Sequence, residues 1–332
     1  RSRLHGWFRI QRHNMQHVYG GLLLPMRACV DFLLLCPQKT GSTALTEMLL
    51  QHPGIGSCKS ITGTAEPGYW HQSYDHINEQ TLRQYNKIFP GNGDMLFEKS
   101  TQYLMTPRAA VNLKPFAKDH IKFIVVLRKP IHRNESFFQH FGTSNQIYKD
   151  EKLYNQFSST GWLSKIPENT KNRIREAQSR MFVEKSWENV FTPEFNSFLK
   201  DNSNDIQSHL GMKWRSQGPA CRSEIQWQIL TSSYASGVNA WLKNFSRSQF
   251  LFVDYEKYRQ DNIGTVMSIF EFLSLENVPI TSLKTNQGDN WEKWGLITDE
   301  QRRIPDQYRD ILRSFYKKSN DYIKHKFGIK LY

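Results

Sequence analysis

No stretch of this 332-residue chain is apolar for long enough to cross a bilayer, which takes roughly 20 residues as a helix. The longest candidate, Val18 to Cys36, is broken by Pro25, Arg27 and Asp31. Internal repeats and low-complexity tracts are absent. Cysteine is scarce, with only Cys29, Cys36, Cys58 and Cys221, and the lack of any C-x-x-C spacing argues against a structural zinc site. If all four are oxidised, three pairings are open and the sequence does not choose among them. Cys36 ends an apolar run and reads as a buried thiol. The 11 histidines form no H-E-x-x-H or similar ligand cluster, so no metal is expected. RNP, KH and zinc-finger patterns are also missing, which weakens a nucleic-acid reading. The chain opens on Arg1 without an initiator Met or signal-peptide pattern, so any targeting segment is expected to have been removed.

What the chain does have is a core and a surplus of positive charge. Hydrophobic residues make up 38% and aromatics 13%, enough for a packed interior. Lys and Arg number 44 against 31 acidic residues, a net +13. Charge of that sign speaks of partners rather than fold: nucleic acid, a sulfated or uronate glycan, a membrane surface or a phosphorylated cofactor. Plain solvated lysines are the bland alternative.

Residues 1–26 are polar and basic and read as an arm or linker. VDFLLLC (Val30–Cys36) then suits a strand buried on both faces. Leu45, Met48 and Leu49 recur at helical spacing over Thr43–His52, ahead of Pro53-Gly54. MLFEKS (Met95–Ser100), IKFIVVL (Ile121–Leu127) and QFLFVDY (Gln249–Tyr255) are further strands, and Pro130 opens a helix. Helices are expected over Ile225–Phe245, Ile263–Leu275 and Tyr308–Phe327. Residues 142–220, rich in Lys, Asn, Ser and Trp, read as helical and loop insertions that shape a site. Alternating strand and helix predict a single α/β domain over 27–332, with a central parallel sheet flanked by helices.

Two segments carry chemistry. CPQKTGST (Cys36–Thr43) leaves a strand and enters a helix N-terminus, where backbone N–H groups and the helix dipole attract an anion. Its lysine precedes the glycine, so it is not a Walker A loop. Gly41 allows close backbone approach, Ser42 and Thr43 add hydroxyls, and Lys39 adds a mobile charge. A tight turn with an incidental lysine is the alternative. RKPIHRNES (Arg128–Ser136) ends the strand IKFIVVL, with Arg128 at the strand end, Pro130 at the first helical position and Ser136 about two turns along. An Arg fork and a Ser hydroxyl suit a second phosphate. Together the two segments imply a ligand with two separated anionic groups.

The motifs PQKTGSTAL and RKPIHRNESFF resemble those of the sulfotransferases that use 3′-phosphoadenosine 5′-phosphosulfate. The resemblance implies a P-loop-like fold in which Lys39, Thr40, Gly41, Ser42, Thr43 and Ala44 hold the 5′-phosphosulfate. It likewise implies that Arg128 and Ser136 hold the 3′-phosphate. Ala65-Glu66-Pro67-Gly68-Tyr69-Trp70, Phe97-Glu98-Lys99-Ser100 with Tyr103, and Phe315-Tyr316-Lys317-Lys318-Ser319-Asn320 resemble stretches of the Golgi carbohydrate branch. These include N-acetylgalactosamine 4-sulfate 6-O-sulfotransferase and the heparan sulfate sulfotransferases. The resemblance covers about residues 30–141 and 225–327. Gly68 departs from it where a histidine is expected, and Ser42 where a threonine is. For the loop that closes over the cofactor, Lys284, Asn286 and Lys293 are candidates only.

The resemblance implies O-sulfation of an anionic glycan such as chondroitin or dermatan sulfate. The enzyme would work in the Golgi lumen as a type II membrane protein whose anchor is not in this chain. Transfer to a hydroxyl needs in-line placement, charge stabilisation and a proton acceptor. Glu66 matches the family's base, although a surface Glu before a turn-forming Pro is the plain alternative. Lys39 reaches the transferring group. Lys99 either steers the acceptor or pairs with Glu98 or Glu66. Trp70 and Tyr103 are expected at the sugar site, with ordinary core packing the alternative for Trp70. Two other readings stand beside this one: a sulfotransferase for a small hydroxylated metabolite or protein tyrosine, and a non-catalytic polyanion-binding protein. Of two N-x-[ST] sequons, Asn134 lies in the proposed phosphate-binding helix and Asn244 in a loop, so only Asn244 is expected to carry a glycan.

Overall fold

The computed structural model describes residues 18–19, 22–23, 26–58, 66–73, 76–89, 93–159, 167–179, 186–202, 223–283 and 298–332. Its centre is a five-stranded sheet built from β3 (Phe32–Leu35), β4 (Ile55–Ser57), β5 (Met95–Lys99), β6 (Lys122–Leu127) and β7 (Phe250–Asp254), all parallel, in the order β4-β5-β3-β6-β7. A small antiparallel hairpin, β1 (Val18–Tyr19) with β2 (Leu22–Leu23), precedes it, inside the segment read as an arm.

The continuous apolar runs are explained by burial on both faces. In β3, Leu33 and Leu35 join one core with Phe123, Val125 and Leu127 of β6. Phe32 and Leu34, pointing the opposite way, join a second core with Ile124 and Val126. The first core lies under α3 (Pro107–Leu113), α4 (Pro130–Lys149) and α14 (Asp306–Phe327), and the second under α1 (Ser42–Leu49) and α12 (Asn262–Leu273). The expected α/β architecture is therefore the observed one.

Between these lie the other helices: α2 (Glu79–Lys87), α5 (Glu151–Ser158), α6 (Glu168–Ser179), α7 (Trp187–Val190), α8 (Pro193–Asp201), α9 (Glu224–Thr231), α10 (Tyr234–Leu242), α11 (Tyr255–Gln260) and α13 (Asp299–Arg302). Several differ from expectation. The single helix expected over Ile225–Phe245 is two, because the chain turns at Ser232-Ser233 before α10 begins. Helix α4 runs unbroken to Lys149, so its last two turns fall within the stretch read as an insertion. The short strand β4 and helix α2 have no counterpart in the sequence reading. A signal for α2 was present: Asn78 Oδ1 accepts from the Thr81 backbone N–H while Thr81 Oγ1 accepts from the Asn78 backbone N–H, a capping box.

Because every strand of the sheet is parallel, the segments after Leu35, Lys99, Leu127 and Asp254 all emerge at one edge. From β3 the chain passes first to the β5 side and later to the β6 side, so the order reverses around β3. Ligands of open α/β sheets gather at such a point.

Candidate active site

The loop after β3 is held in an uncommon conformation. Lys39 has φ +68° and Gly41 φ +77°. A left-handed non-glycine residue costs about 1–2 kcal/mol, so neighbours must hold Lys39 there. Three bonds do so. Thr40 Oγ1 donates to the Pro37 carbonyl at 2.6 Å, Arg133 Nε to the Gln38 carbonyl at 2.8 Å and Arg128 Nη1 to the Lys39 carbonyl at 2.8 Å. At Gly41 a side chain is disfavoured twice over, by the positive φ and by the rings of Tyr255 and Tyr258, which a Cβ would meet at 3.1 Å and would have to push aside.

Helix α1 follows without a side-chain cap, and its first backbone bond runs from Leu45 N to Gly41 O. The amides of Ser42, Thr43 and Ala44 precede that bond and have no intrahelical acceptor. Arg128, stacked 4.6 Å from the Tyr255 ring centroid, keeps a buried Nε without a hydrogen-bond partner. Open amides, a helix N-terminus and an unsatisfied guanidinium N–H are what a nucleotide with anionic ends requires. These residues fit the donor that the motifs imply. Ser136, half-buried, lies on the same helix as Arg128's successor Pro130. Lys39 has a neighbour the sequence did not suggest, His140, whose imidazole is held well below the usual range by burial and then by the Lys39 charge.

Across the sheet edge, Lys99 ends β5 with its side chain 2% exposed and forms an ion pair with Glu66 at 2.8 Å. Its ammonium also donates to Thr43 Oγ1 at 3.3 Å, so one lysine bridges the loop of Glu66 and the start of α1. Glu66 is the partly exposed member, at 30%, and accepts from Thr101 Oγ1 at 3.4 Å. Of the two pairings open to Lys99, the structure has the one with Glu66. A cavity of about 20 Å³ lies beside Thr101, lined also by Gln38, Gln102, Met105, Arg133 and Gln228.

Trp70 and Tyr103 correct the expectation of a sugar-lining role. Both are fully buried, and neither presents surface to a ligand. The Trp70 backbone N–H donates to Tyr103 Oη at 3.1 Å, its indole N–H to Tyr85 Oη at 3.3 Å, and Tyr103 Oη donates to Glu98 at 3.4 Å. These bonds anchor the Glu66–Trp70 segment from behind. Gly68, where a histidine was expected, has φ +61°, and a Cβ there would meet the His71 ring at 2.8 Å. Lys284, Asn286, Lys293, Ala65 and Cys221 lie outside the described residues. Cys36 is buried as expected, and burial pushes its thiol up to about 12.

Glu98 is wholly buried and its carboxyl is pushed up to about 8 by burial, against the lowering effect of bonds from Tyr85, Tyr103 and Trp70. An unfolded glutamate titrates near 4.5, so between that value and 8 the folded state holds the extra proton. Stability contributed by this group is full below 4.5 and is lost as pH rises towards 8. The melting temperature of the wild type relative to Glu98→Gln should therefore fall from pH 5 to pH 8. A constant difference would show that Glu98 does not titrate there.

Asn134 is sealed in the core: its Nδ2 donates to Tyr316 Oη at 2.8 Å and its Oδ1 accepts from Ser232 Oγ at 2.9 Å. Asn244 is half-buried between α10 and β7.

A family model described as a sulfotransferase domain matches residues 30–289, well over half of the chain. The bifunctional heparan sulfate N-deacetylase/N-sulfotransferase 1 of Caenorhabditis briggsae is 24% identical over 267 residues, 79% of this chain and 25% of that protein. Heparan sulfate glucosamine 3-O-sulfotransferase 3B1 of Homo sapiens is 26% identical over 243 residues, 73% of this chain and 45% of that protein. The chain thus spans between a quarter and under half of the length of these relatives. A sulfotransferase from Alicyclobacillus acidocaldarius shares the fold, with a TM-score of 0.52 at 17% identity over 91% of this chain and 97% of that one. With its phosphate-type loop, basic strand end and parallel sheet, the chain belongs to the sulfotransferase domain family.

Proposed function

We propose that the protein transfers a sulfuryl group from 3′-phosphoadenosine 5′-phosphosulfate to a hydroxyl of an anionic glycan. The observation that carries this reading is the Lys99 bridge, which joins Glu66 to the helix that receives the donor's 5′ end. When bound, the donor supplies the sulfuryl group and a stable leaving phosphate. The open amides at α1 and Lys39 bind and orient that end. Glu66 takes the acceptor proton, and Lys99, between Glu66 and Thr43, offsets charge on the oxygens between them. Arg128 and Ser136 hold the 3′-phosphate.

The relatives' names carry heparan sulfate, and the Glu66–Trp70 resemblance points to chondroitin or dermatan sulfate. The net charge of +13 suits either. Incubation with labelled donor and a panel of heparan, chondroitin and dermatan chains, a tyrosine peptide and small phenols tests the reading. Label in a glycan, at a rate that falls steeply with salt, is the expected result. Label only in the peptide or phenols would favour the metabolite or tyrosine reading. Binding without transfer would leave a polyanion-binding protein.

Arg128→Ala and Ser136→Ala should erode discrimination between adenosine 3′,5′-bisphosphate and adenosine 5′-phosphate. Loss of a charged hydrogen bond is worth about 1.5–3 kcal/mol. Ser136→Ala is the cleaner test, because Arg128 also holds the Lys39 carbonyl. Equal losses for both nucleotides in calorimetry would place the 3′-phosphate elsewhere.

The proposed compartment is the Golgi lumen. Among the described residues no helix is long and apolar enough to cross a membrane. In a secretory host Asn244 should carry an N-glycan and Asn134 none, because Asn134 is bonded at both ends of its amide inside the core. Peptide mapping after glycosidase treatment in heavy-oxygen water reads both sites. An occupied Asn134 in active protein would contradict the packing of α4.

A further inference from the structure

Arg133 stands out as a charged side chain that the proposed mechanism does not use. It is 1% exposed, and among the described residues no carboxylate pairs with it. Neutral acceptors satisfy it instead: Nε reaches Gln38 O at 2.8 Å, Nη1 reaches Gln228 O at 3.1 Å and also Ser232 Oγ, and Nη2 reaches Gln228 Oε1. Gln228 Nε2 in turn donates to Gln38 Oε1 at 3.3 Å. Taking a guanidinium out of water without a counter-charge costs several kcal/mol, so its position calls for a reason.

The reason lies in the loop. Arg128 and Arg133, five residues apart on the β6–α4 segment, hold the consecutive carbonyls of Lys39 and Gln38. The C=O and N–H of a trans peptide point in opposite directions. Drawing the two carbonyls towards the arginines therefore turns the N–H groups of Lys39 and Thr40 the other way. With Lys39 left-handed, successive amides form the kind of concavity that receives an anion. We propose that Arg133 is a positioning residue for the donor's 5′ end, which it serves by fixing the Gln38–Lys39 peptide through the Arg133–Gln228–Gln38 triangle. An anion seated in that concavity also lies in the field of a buried positive charge that, among the described residues, no carboxylate neutralises. The inference rests on the reading of the Pro37–Thr43 loop as the seat of that 5′ end.

The test is calorimetry on the full chain with two ligands, adenosine 3′,5′-bisphosphate and adenosine 3′-phosphate, which lacks the 5′ group. Arg133→Met removes charge and fork at similar volume. Arg133→Lys keeps the charge but, with one nitrogen, cannot span Gln38 and Gln228. Both variants should shrink the wild-type preference for the bisphosphate by about tenfold or more. Equal weakening of the two ligands would reduce Arg133 to a structural residue and overturn the proposal. A lysine variant that behaves as wild type would overturn it too, since charge alone would then suffice. If Arg133→Met shows no melting transition, Gln228→Met loosens the same triangle and should move the same ratio in the same direction. A wild type that binds neither nucleotide would overturn the functional reading itself, an outcome distinct from the others.

Discussion

Glu66→Gln should remove most of the turnover while leaving nucleotide affinity in place. A positioned base contributes about 10²–10⁴-fold, and glutamine keeps the shape but cannot take a proton from a hydroxyl. The pairing with Lys99 makes the substitution informative in a second way. Lys99 is almost wholly buried and Glu66 is the partly exposed partner, so loss of the carboxylate leaves a buried ammonium with a weaker acceptor. Breaking a fully buried pair costs about 3–5 kcal/mol, and the exposure of Glu66 puts the expected cost below that range. The glutamine carbonyl still accepts from Lys99, so Glu66→Gln should melt above Glu66→Ala although both have lost activity. Binding of adenosine 3′,5′-bisphosphate should match wild type in both, because the ion pair touches the α1 segment only through Thr43 Oγ1. Turnover within tenfold of wild type, with an unchanged pH profile, would assign the proton to another residue.

Lys39→Ala should lower turnover by about 10²–10³-fold, the usual effect of removing one group that meets developing transition-state charge. Nucleotide affinity should weaken less, since the amides of α1 and the Arg128 guanidinium remain. The backbone offers a control. Alanine at φ +68° is as strained as lysine, whereas glycine is not. Lys39→Gly should therefore lose the same turnover as Lys39→Ala yet melt at a higher temperature. A glycine variant that recovers turnover would show that the conformation, and not the ammonium, is what Lys39 supplies. His140 adds a readout: with the Lys39 charge gone, one of the two effects depressing its imidazole is removed, and its NMR titration should move up.

Some of this was legible in the sequence because it is local. The unbroken apolar run through Phe32–Leu35, with no polar alternation, announces a strand buried on both faces wherever the rest of the chain goes. A helix with Pro130 at its first position, and a lysine-then-glycine turn between strand and helix, likewise depend only on near neighbours. The two anion-binding segments could be found for that reason. What tertiary structure decided are contacts between residues far apart along the chain. Lys99 had two carboxylates within reach on paper, Glu98 beside it and Glu66. Strand alternation points Glu98 into the core with Tyr103, while Lys99 turns to the other side and meets Glu66 across 33 residues of sequence. Trp70 and Tyr103 carry the residue types of a sugar site, and only packing shows that they hold the Glu66 segment from the core side. Arg133 is the strongest case. In sequence it is one more basic residue of the RKPIHRNES segment, between the Arg128 and Ser136 read as phosphate contacts. Its burial against Gln38 and Gln228, 95 residues away on either side, exists only once β3, α4 and α9 are brought together. Periodicity and turn chemistry report what a residue's own segment does; which charges are stripped of water depends on what the rest of the chain lays over them.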